Sequence, residues 1–448
     1  MRKSAKLARQ NLMRGSRRDF LRRAGVLGAA FGLGSADWES RAGEGTFADS
    51  VETVTGIPVS SGDWPWWRGP TLNNVSTEKN PPLEWGPDKN VLWKVKTPGR
   101  GHSSPITFQE QVFIATADEE HEILEMLCYQ RADGKELWRA RVHQGGFLKK
   151  HDKNSHASAT AACDGSLLFF PALFNDALWV TALNLKGETA WQTRVSSFVP
   201  SNGYGSSPVL YKNTVIVSSD NTGEPCLMAL DRKTGVKAWR TERPKSDNFS
   251  SLLLARLAGR DQLIICGARM IASYEPADGK QIWFAESPTE VTATTMAFGD
   301  NLVVGGGNVP VREYMCVSAG GKGDVTKTHL LWRSKKNVSY VPAPMIHEEL
   351  LYIINDSGIA ACLDPKTERE FYKERLDNAT FTASPFFADG KIFATSEGGK
   401  TFVLQAGKEF KILGSNELKE ETLASPVLSR GHWFIRTKQH LYCIGKGA

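Results

Sequence analysis

Between Gly205 and Arg240 the chain reads GSSPVLYKNTVIVSSDNTGEPCLMALDRKTGVKAWR, and this pattern returns again and again along the sequence. It holds four short apolar runs: Ser206–Leu210, Thr214–Ser219, Pro225–Asp231 and Val236–Arg240. Each run is rich in β-branched or aromatic residues and stops at Gly, Asn or Asp. That composition predicts antiparallel strands joined by tight turns. Asn213 and Gly235 fall where such turns take positive φ. A lone four-stranded sheet of this kind leaves apolar faces uncovered and needs neighbours.

The neighbours are the repeats. With Pro208 as the anchor, comparable first strands recur at Pro105, Thr160, near Leu253, Thr295, Pro344, Pro385 and Pro426, spaced by 41–55 residues. This is the period of a propeller blade. Seven residues after most anchors comes an apolar second strand, at Val112, Leu167, Val215, Leu302, Leu351, Ile392 and Trp433. The Ala229–Trp239 signature has counterparts at Cys128–Trp138, Ala182–Trp191 and Ser273–Trp283, and fades at Cys362–Phe371 and Val403–Phe410. Eight anchors predict an all-β chain: an eight-bladed β-propeller of four-stranded antiparallel blades. The last blade, Leu423–Gly445, has three strands, and Asn90–Lys96 with its Trp93 matches the missing fourth. An N-terminal strand therefore closes the last blade and the ring, which removes free edges.

Upstream of the propeller (90–448) the sequence divides into three. Residues 1–36 carry nine basic residues, the run SRRDFLR (Ser16–Arg22) and a mild apolar stretch, Ala24–Ala36. This predicts a twin-arginine signal peptide, too short and glycine-rich for a membrane span, and so an exported protein of the periplasm or cell envelope. Residues 37–62 read as a flexible linker. Residues 63–89, aromatic but aperiodic, read as an extended segment laid on the propeller.

Charge and cysteine follow from this division. The 55 basic and 49 acidic residues give +6, but without residues 1–36 there are 46 against 48, near −2. The basic excess belongs to the signal, and nucleic-acid binding is not expected. No transmembrane span is expected after signal removal, and the chain is expected to be a monomer. Four of the seven cysteines (Cys128, Cys316, Cys362, Cys443) share the third-strand position held by Ala182, Ala229 and Ser273 elsewhere. That register predicts small buried side chains and free thiols. Six of the thirteen tryptophans (Trp93, Trp138, Trp191, Trp239, Trp283, Trp332) also share one repeat position, and read as packing between blades.

The WPWWRGP opening (Trp64–Pro70), the following NNVS, LEWGPDKNVLWKV, GRGHSSPI (Gly99–Ile106) and the repeated ALDxxTGxxxW resemble the pyrroloquinoline-quinone-like (PQQ-like) repeat propellers, and among them the exported members of planctomycete-type bacteria. The resemblance spans about Trp64 to Gly445. Two branches bear on function. One is the quinoprotein alcohol and glucose dehydrogenases, which the resemblance associates with a vicinal Cys-Cys pair, a calcium site of Glu and Asn, and a catalytic Asp. The other is the BamB-type scaffold lipoproteins. The chain has no Cys-Cys pair, is shorter than the dehydrogenases, and lacks the lipid-bearing Cys of the scaffolds.

Loops leading into the first strands face the channel, which the resemblance makes the ligand face. Four residues before the anchors stand Gly101, His156, Tyr204, Phe249, Val291, Tyr340, Phe381 and Thr422. Such an aromatic ring either stacks a planar ligand, grips a peptide, or plugs the channel mouth. Arg100 and His102 flank the first anchor and suit pairing with Asp or Glu, or binding a carboxylate. The loop His143–Ser158 holds His143, His151 and His156, for which a metal, an anionic ligand and simple solvation are the three readings. The acidic run Asp118–Glu122 reads as solvated surface, and GGGN (Gly305–Asn308) as a blade turn. No GxSxG, HExxH, Walker loop or GxGxxG in strand–helix context occurs.

The binding residues expected on the loop face are Arg100, His102, His151, His156, Tyr204, Phe249, Tyr340 and Phe381, with no catalytic and no metal-ligating residue. The function expected is a non-catalytic scaffold for protein, peptide or envelope polymer without a cofactor. The alternative implied by the resemblance is a dehydrogenase of alcohols or sugars that uses PQQ and Ca2+.

Overall fold

The computed structural model describes residues 50–51 and 53–446. The expected signal, 1–36, and most of the expected linker lie outside the described residues. The repeats form eight antiparallel sheets, arranged as the blades of a propeller. Blade 1 is Ile106–Phe108, Gln111–Asp118, Ile123–Gln130 and Glu136–Gln144. Blade 8 is Val427–Ser429, His432–Arg436 and His440–Ile444, completed by Val91–Lys96 with Trp93 opposite Cys443. Two blades gain a two-residue fifth strand in parallel: Gly323–Asp324 on blade 4 and Val75–Ser76 on blade 7. Among the described residues there is no α-helix.

Each blade is covered by neighbours on both faces, so its middle strands are apolar throughout. In Leu167–Phe174 (LLFFPALF) every residue but the first is buried. The outer strands, half in water, alternate instead, as in Thr189–Ser197. Between blades the tryptophans act as bolts. The indole N–H groups of Trp93, Trp138, Trp191, Trp239 and Trp332 each donate to a carbonyl in the next blade's outer turn: Arg131, Leu185, Arg232, Pro276 and Pro365, at 2.8–3.2 Å. Under four of these rings lies the turn glycine of the next blade (Gly134, Gly187, Gly235, Gly279), with φ of +71° to +85°, where an added Cβ would come within 2.5–2.8 Å of the indole. The recurring turn glycine, in DG, KG or TG, thus makes the turn and seats the ring. Trp283 departs from the pattern and donates to Gln262 of its own blade. The residue opposite each tryptophan on the third strand is small: Cys128, Ala182, Ala229, Ser273, Cys316 or Cys443. All seven cysteines are free and buried.

Three local expectations are corrected. In the Lys212-Asn213 turn positive φ falls on Lys212, at 50°, and not on Asn213. Gly305–Gly307 are not a turn but the buried end of the strand Leu302–Gly307. There Met296 packs so closely that a Cβ on Gly305 would lie 2.4 Å from its side chain. Residues 53–62, read as part of a flexible linker, bury Ile57 and Val59, and Val59–Ser60 pairs with Ser50–Val51.

From Asp63 the chain crosses the propeller at the ends of the inner strands. Trp64 pairs with Thr107 of blade 1, Cys163 of blade 2 donates to the Pro65 carbonyl, and Val75 pairs with Phe387 of blade 7. Asp63, buried, accepts from Arg131 at 3.3 Å and Arg430 at 3.2 Å, which ties the crossing to blades 1 and 8.

Candidate functional site

The inner strands leave a central cavity of about 460 Å3, within the range of ligand-binding pockets. Its wall includes the residue two positions before each inner strand, which in most repeats is Ser or Thr. Seven of these residues are linked by six backbone N–H groups, each donating to the next blade's hydroxyl. Ser425 donates to Ser104, Ser104 to Thr160, Thr160 to Ser207 and Ser207 to Ser251, at 2.9–3.1 Å. Ala343 donates to Ser384 and Ser384 to Ser425, at 3.0 and 2.9 Å. Each of these hydroxyls accepts a bond but has no acceptor for its own proton among the described residues, so the ring presents O–H donors to the cavity.

The ring is broken between Ser251 and Ala343. Trp67, arriving from the crossing segment, fills this gap and lines the cavity, its indole N–H 3.4 Å from Thr295 Oγ1. The adjacent Arg68 is buried and donates to the carbonyls of Met296 at 2.5 Å and Pro344 at 3.2 Å. Burial holds its guanidinium down to about 9.

The opposite end is the loop face. Phe249 and Tyr340 line it, both half-buried. Asp356 accepts from the backbone N–H groups of Tyr340 at 2.7 Å and Val341 at 3.0 Å, which fixes that loop. His151 lines the mouth, its Nδ1 accepting from the Lys153 N–H at 3.1 Å. Lys153 reaches from the blade 1–2 loop to Glu397 of blade 7, Nζ–Oε1 2.6 Å. Thr382 also donates to Glu397, whose carboxyl lies below its ordinary range: burial opposes this, and the Lys153 and Thr382 bonds outweigh it.

His102 stands between this cavity and a second, smaller one. Burial pushes its imidazole down to about 3, helped by the charges of Arg436, Arg100, Lys150 and Lys153, so it is neutral at pH 7. Arg100 borders the smaller cavity, 3.8 Å from Glu119 and donating to the Asp152 carbonyl. Glu119, in the acidic run expected to be solvated, also meets Lys150 at 3.2 Å and His156 at 3.4 Å and anchors the His143–Ser158 loop.

Of the eight residues expected on this face, His102, His151, Phe249 and Tyr340 line the central cavity together. Arg100 lies beside it. Phe381 borders it, but the side chain is 1% exposed and packs on Phe402. Two others turn away. His156 stacks on Phe147 at 4.0 Å and bonds the Leu148 carbonyl at 2.9 Å. Tyr204 is buried, its hydroxyl donating to the Ser218 carbonyl at 2.9 Å. Sequence reasoning missed Trp67, Lys153, Asp356, Glu397 and the hydroxyl ring. The ring did have a signal, since Ser or Thr precedes most anchors.

A family model described as outer membrane protein assembly factor BamB, of the PQQ-like repeat propellers, matches residues 125–374. The chain belongs to this family. Several solved structures share the propeller. BamB from Moraxella catarrhalis aligns at 13% identity and TM-score 0.54, covering 79% of this chain and 97% of that one. The quinohemoprotein alcohol dehydrogenase from Comamonas testosteroni aligns at 10% identity and TM-score 0.64, covering 86% and 81%. The computationally designed Ika8 protein aligns at 12% identity and TM-score 0.59, covering 79% and 99%. At these identities the likeness is one of fold. No curated protein matches.

The quinone and calcium implied by the dehydrogenase branch of the PQQ-like family do not fit this cavity. The quinone carries three carboxylates. The cavity offers Lys153, already held by Glu397, a neutral His102 and, at the mouth, His151, and adds the carboxylates of Asp356 and Glu397. Among the described residues no three His, Cys, Asp or Glu side chains are grouped to hold a metal ion.

Proposed function

We propose that this family member is a binding protein of the cell envelope that takes a protein or peptide partner on its loop face, with an uncharged, carbonyl-rich segment reaching into the central cavity. One observation carries the reading: a ring of O–H donors without acceptors, flanked by Phe249 and Tyr340 and closed on the crossing side by Trp67. Backbone carbonyls of an extended segment complement such donors, and half-exposed aromatic rings give contact area at low entropic cost. The family description, an assembly factor, supports a protein partner. The export signal read over residues 1–36 supports an envelope location.

The test is affinity capture with the Phe249→Ala, Tyr340→Ala double variant against the wild type. Residue 79, on the crossing segment, supplies the control through Lys79→Ala. The reading expects a partner kept by the wild type and the control and lost by the double variant. Equal capture by all three would remove the loop face from the account.

A further inference from the structure

We propose that the cleft between blades 8 and 1 binds a carboxylate, with Arg436 as its buried counter-charge. The observation is an uncompensated cation. Arg436 ends the second strand of blade 8 and is 3% exposed. Its Nη1 donates to Ser103 Oγ at 2.7 Å, the Ser103 carbonyl at 3.3 Å and the Ala115 carbonyl at 2.6 Å. Its Nε is buried without a partner. Among the described residues no carboxylate stands within ion-pair reach of it.

Buried charges are ordinarily paired, and this chain follows the rule elsewhere. Arg131 meets Asp63 at 3.3 Å, and Arg243 meets Asp220 at 2.7 Å. Arg68 also lacks a carboxylate and its Nε is likewise without a partner, but both its Nη groups donate to carbonyls and it lines neither of the two cavities. Arg436 alone of these four opens onto one, a cleft of about 290 Å3.

The cleft is shaped for the guanidinium. Gly101 lies directly on it, and a Cβ there would stand 2.3 Å from Arg436 Nη2. Arg100, His102 and Lys438 also line it, and its carboxylate, Glu421, is bonded to Lys438 at 3.1 Å. Arg100 shares Glu119, at 3.8 Å, with Lys150 at 3.2 Å. Of the three cations lining the cleft, Arg436 alone has no carboxylate contact, and the Glu421 charge on the rim favours a single carboxylate over a phosphate dianion. Neutral His102 keeps a ring N–H to donate to it. The carboxylate belongs either to a small acid or to the end of a peptide chain.

The experiment is thermal unfolding of the full chain with rising acetate, phosphate or sulfate at fixed ionic strength, for wild type, Arg436→Met and Lys438→Glu. Removing an unpaired buried charge leaves Arg436→Met able to fold, and Lys438→Glu changes only the exposed rim. The expected result is a saturable rise of Tm with acetate in the wild type, no rise in Arg436→Met, and affinity weakened about three- to tenfold in Lys438→Glu. A peptide with a free C-terminal carboxylate that binds more tightly than acetate, and its amide that does not bind, would assign the source to a partner chain. Affinities equal to acetate's would assign it to a small acid. No rise with acetate, an equal rise in Arg436→Met, or a rise with phosphate alone would overturn the proposal.

Discussion

Replacing Gly235 by alanine tests how the blades are bolted together. The turn holds Gly235 at φ +71°, where a side chain costs about 1–2 kcal/mol. The new Cβ would also lie 2.6 Å from Trp191 Cδ2 and 2.7 Å from Thr193 Oγ1. That is roughly 1 Å inside ordinary contact. The indole has little room to yield, because its N–H is held by the Arg232 carbonyl at 2.9 Å and its face packs on Phe169 at 5.9 Å. Overpacking of this kind adds about 1–3 kcal/mol, for a total of about 2–5. Gly431 is the control, with φ +74° and nothing within 4 Å of its added Cβ. Gly431→Ala should cost only the backbone part, about 1–2 kcal/mol. Urea unfolding followed by circular dichroism measures both. In a Trp191→Leu background the extra cost of Gly235→Ala should fall, since the clashing ring is gone and only the Thr193 contact remains. Equal costs at Gly235 and Gly431, or no relief once the indole is removed, would refute the argument that the glycine seats the tryptophan.

Other outcomes follow from the same geometry. Arg243→Met breaks a pair exposed 0% and 1% and should cost about 3–5 kcal/mol, while the double variant with Asp220→Leu should recover much of it in the same unfolding assay. The seven thiols, with Cys128 and Cys443 pushed up to about 12 by burial, should resist a thiol reagent in the folded chain and react together in denaturant. His102 is neutral when folded down to about pH 3 but protonates near 6.5 when unfolded. The unfolded state therefore binds the extra proton, and stability should fall as pH drops below about 6.5, by up to about 1.4 kcal/mol per unit from this group. His102→Gln should flatten that slope in unfolding midpoints measured between pH 5 and 7. Titration with PQQ and calcium, followed by tryptophan fluorescence, should show no saturable binding, and a micromolar response would reinstate the dehydrogenase reading.

The fold was legible because each blade repeats its own chemistry. The turn Gly of DG, KG or TG, the Trp four residues later and the small residue opposite it recur together, and the pattern is visible wherever it returns. The site was legible only in part. Counting four residues back from each anchor reaches Phe249 and Tyr340, which line the cavity. The same count failed at Tyr204 and His156, whose loops fold back and bury the ring against Phe198 and Phe147. Trp67 and Arg436 were hidden for a different reason. Their partners stand hundreds of positions away, Thr295 and Ser103, and no local pattern marks a residue that reaches across a ring.

The most direct test of a loop-face partner is site-specific photocrosslinking in the native envelope, with the photoreactive residue at 151, 249 or 340 and, as the comparison, at 79 on the crossing segment. Lys79 is well exposed, so the comparison position is accessible. The account predicts adducts to one common protein from the three mouth positions and none from residue 79. Adducts from residue 79 with none from the mouth would contradict it.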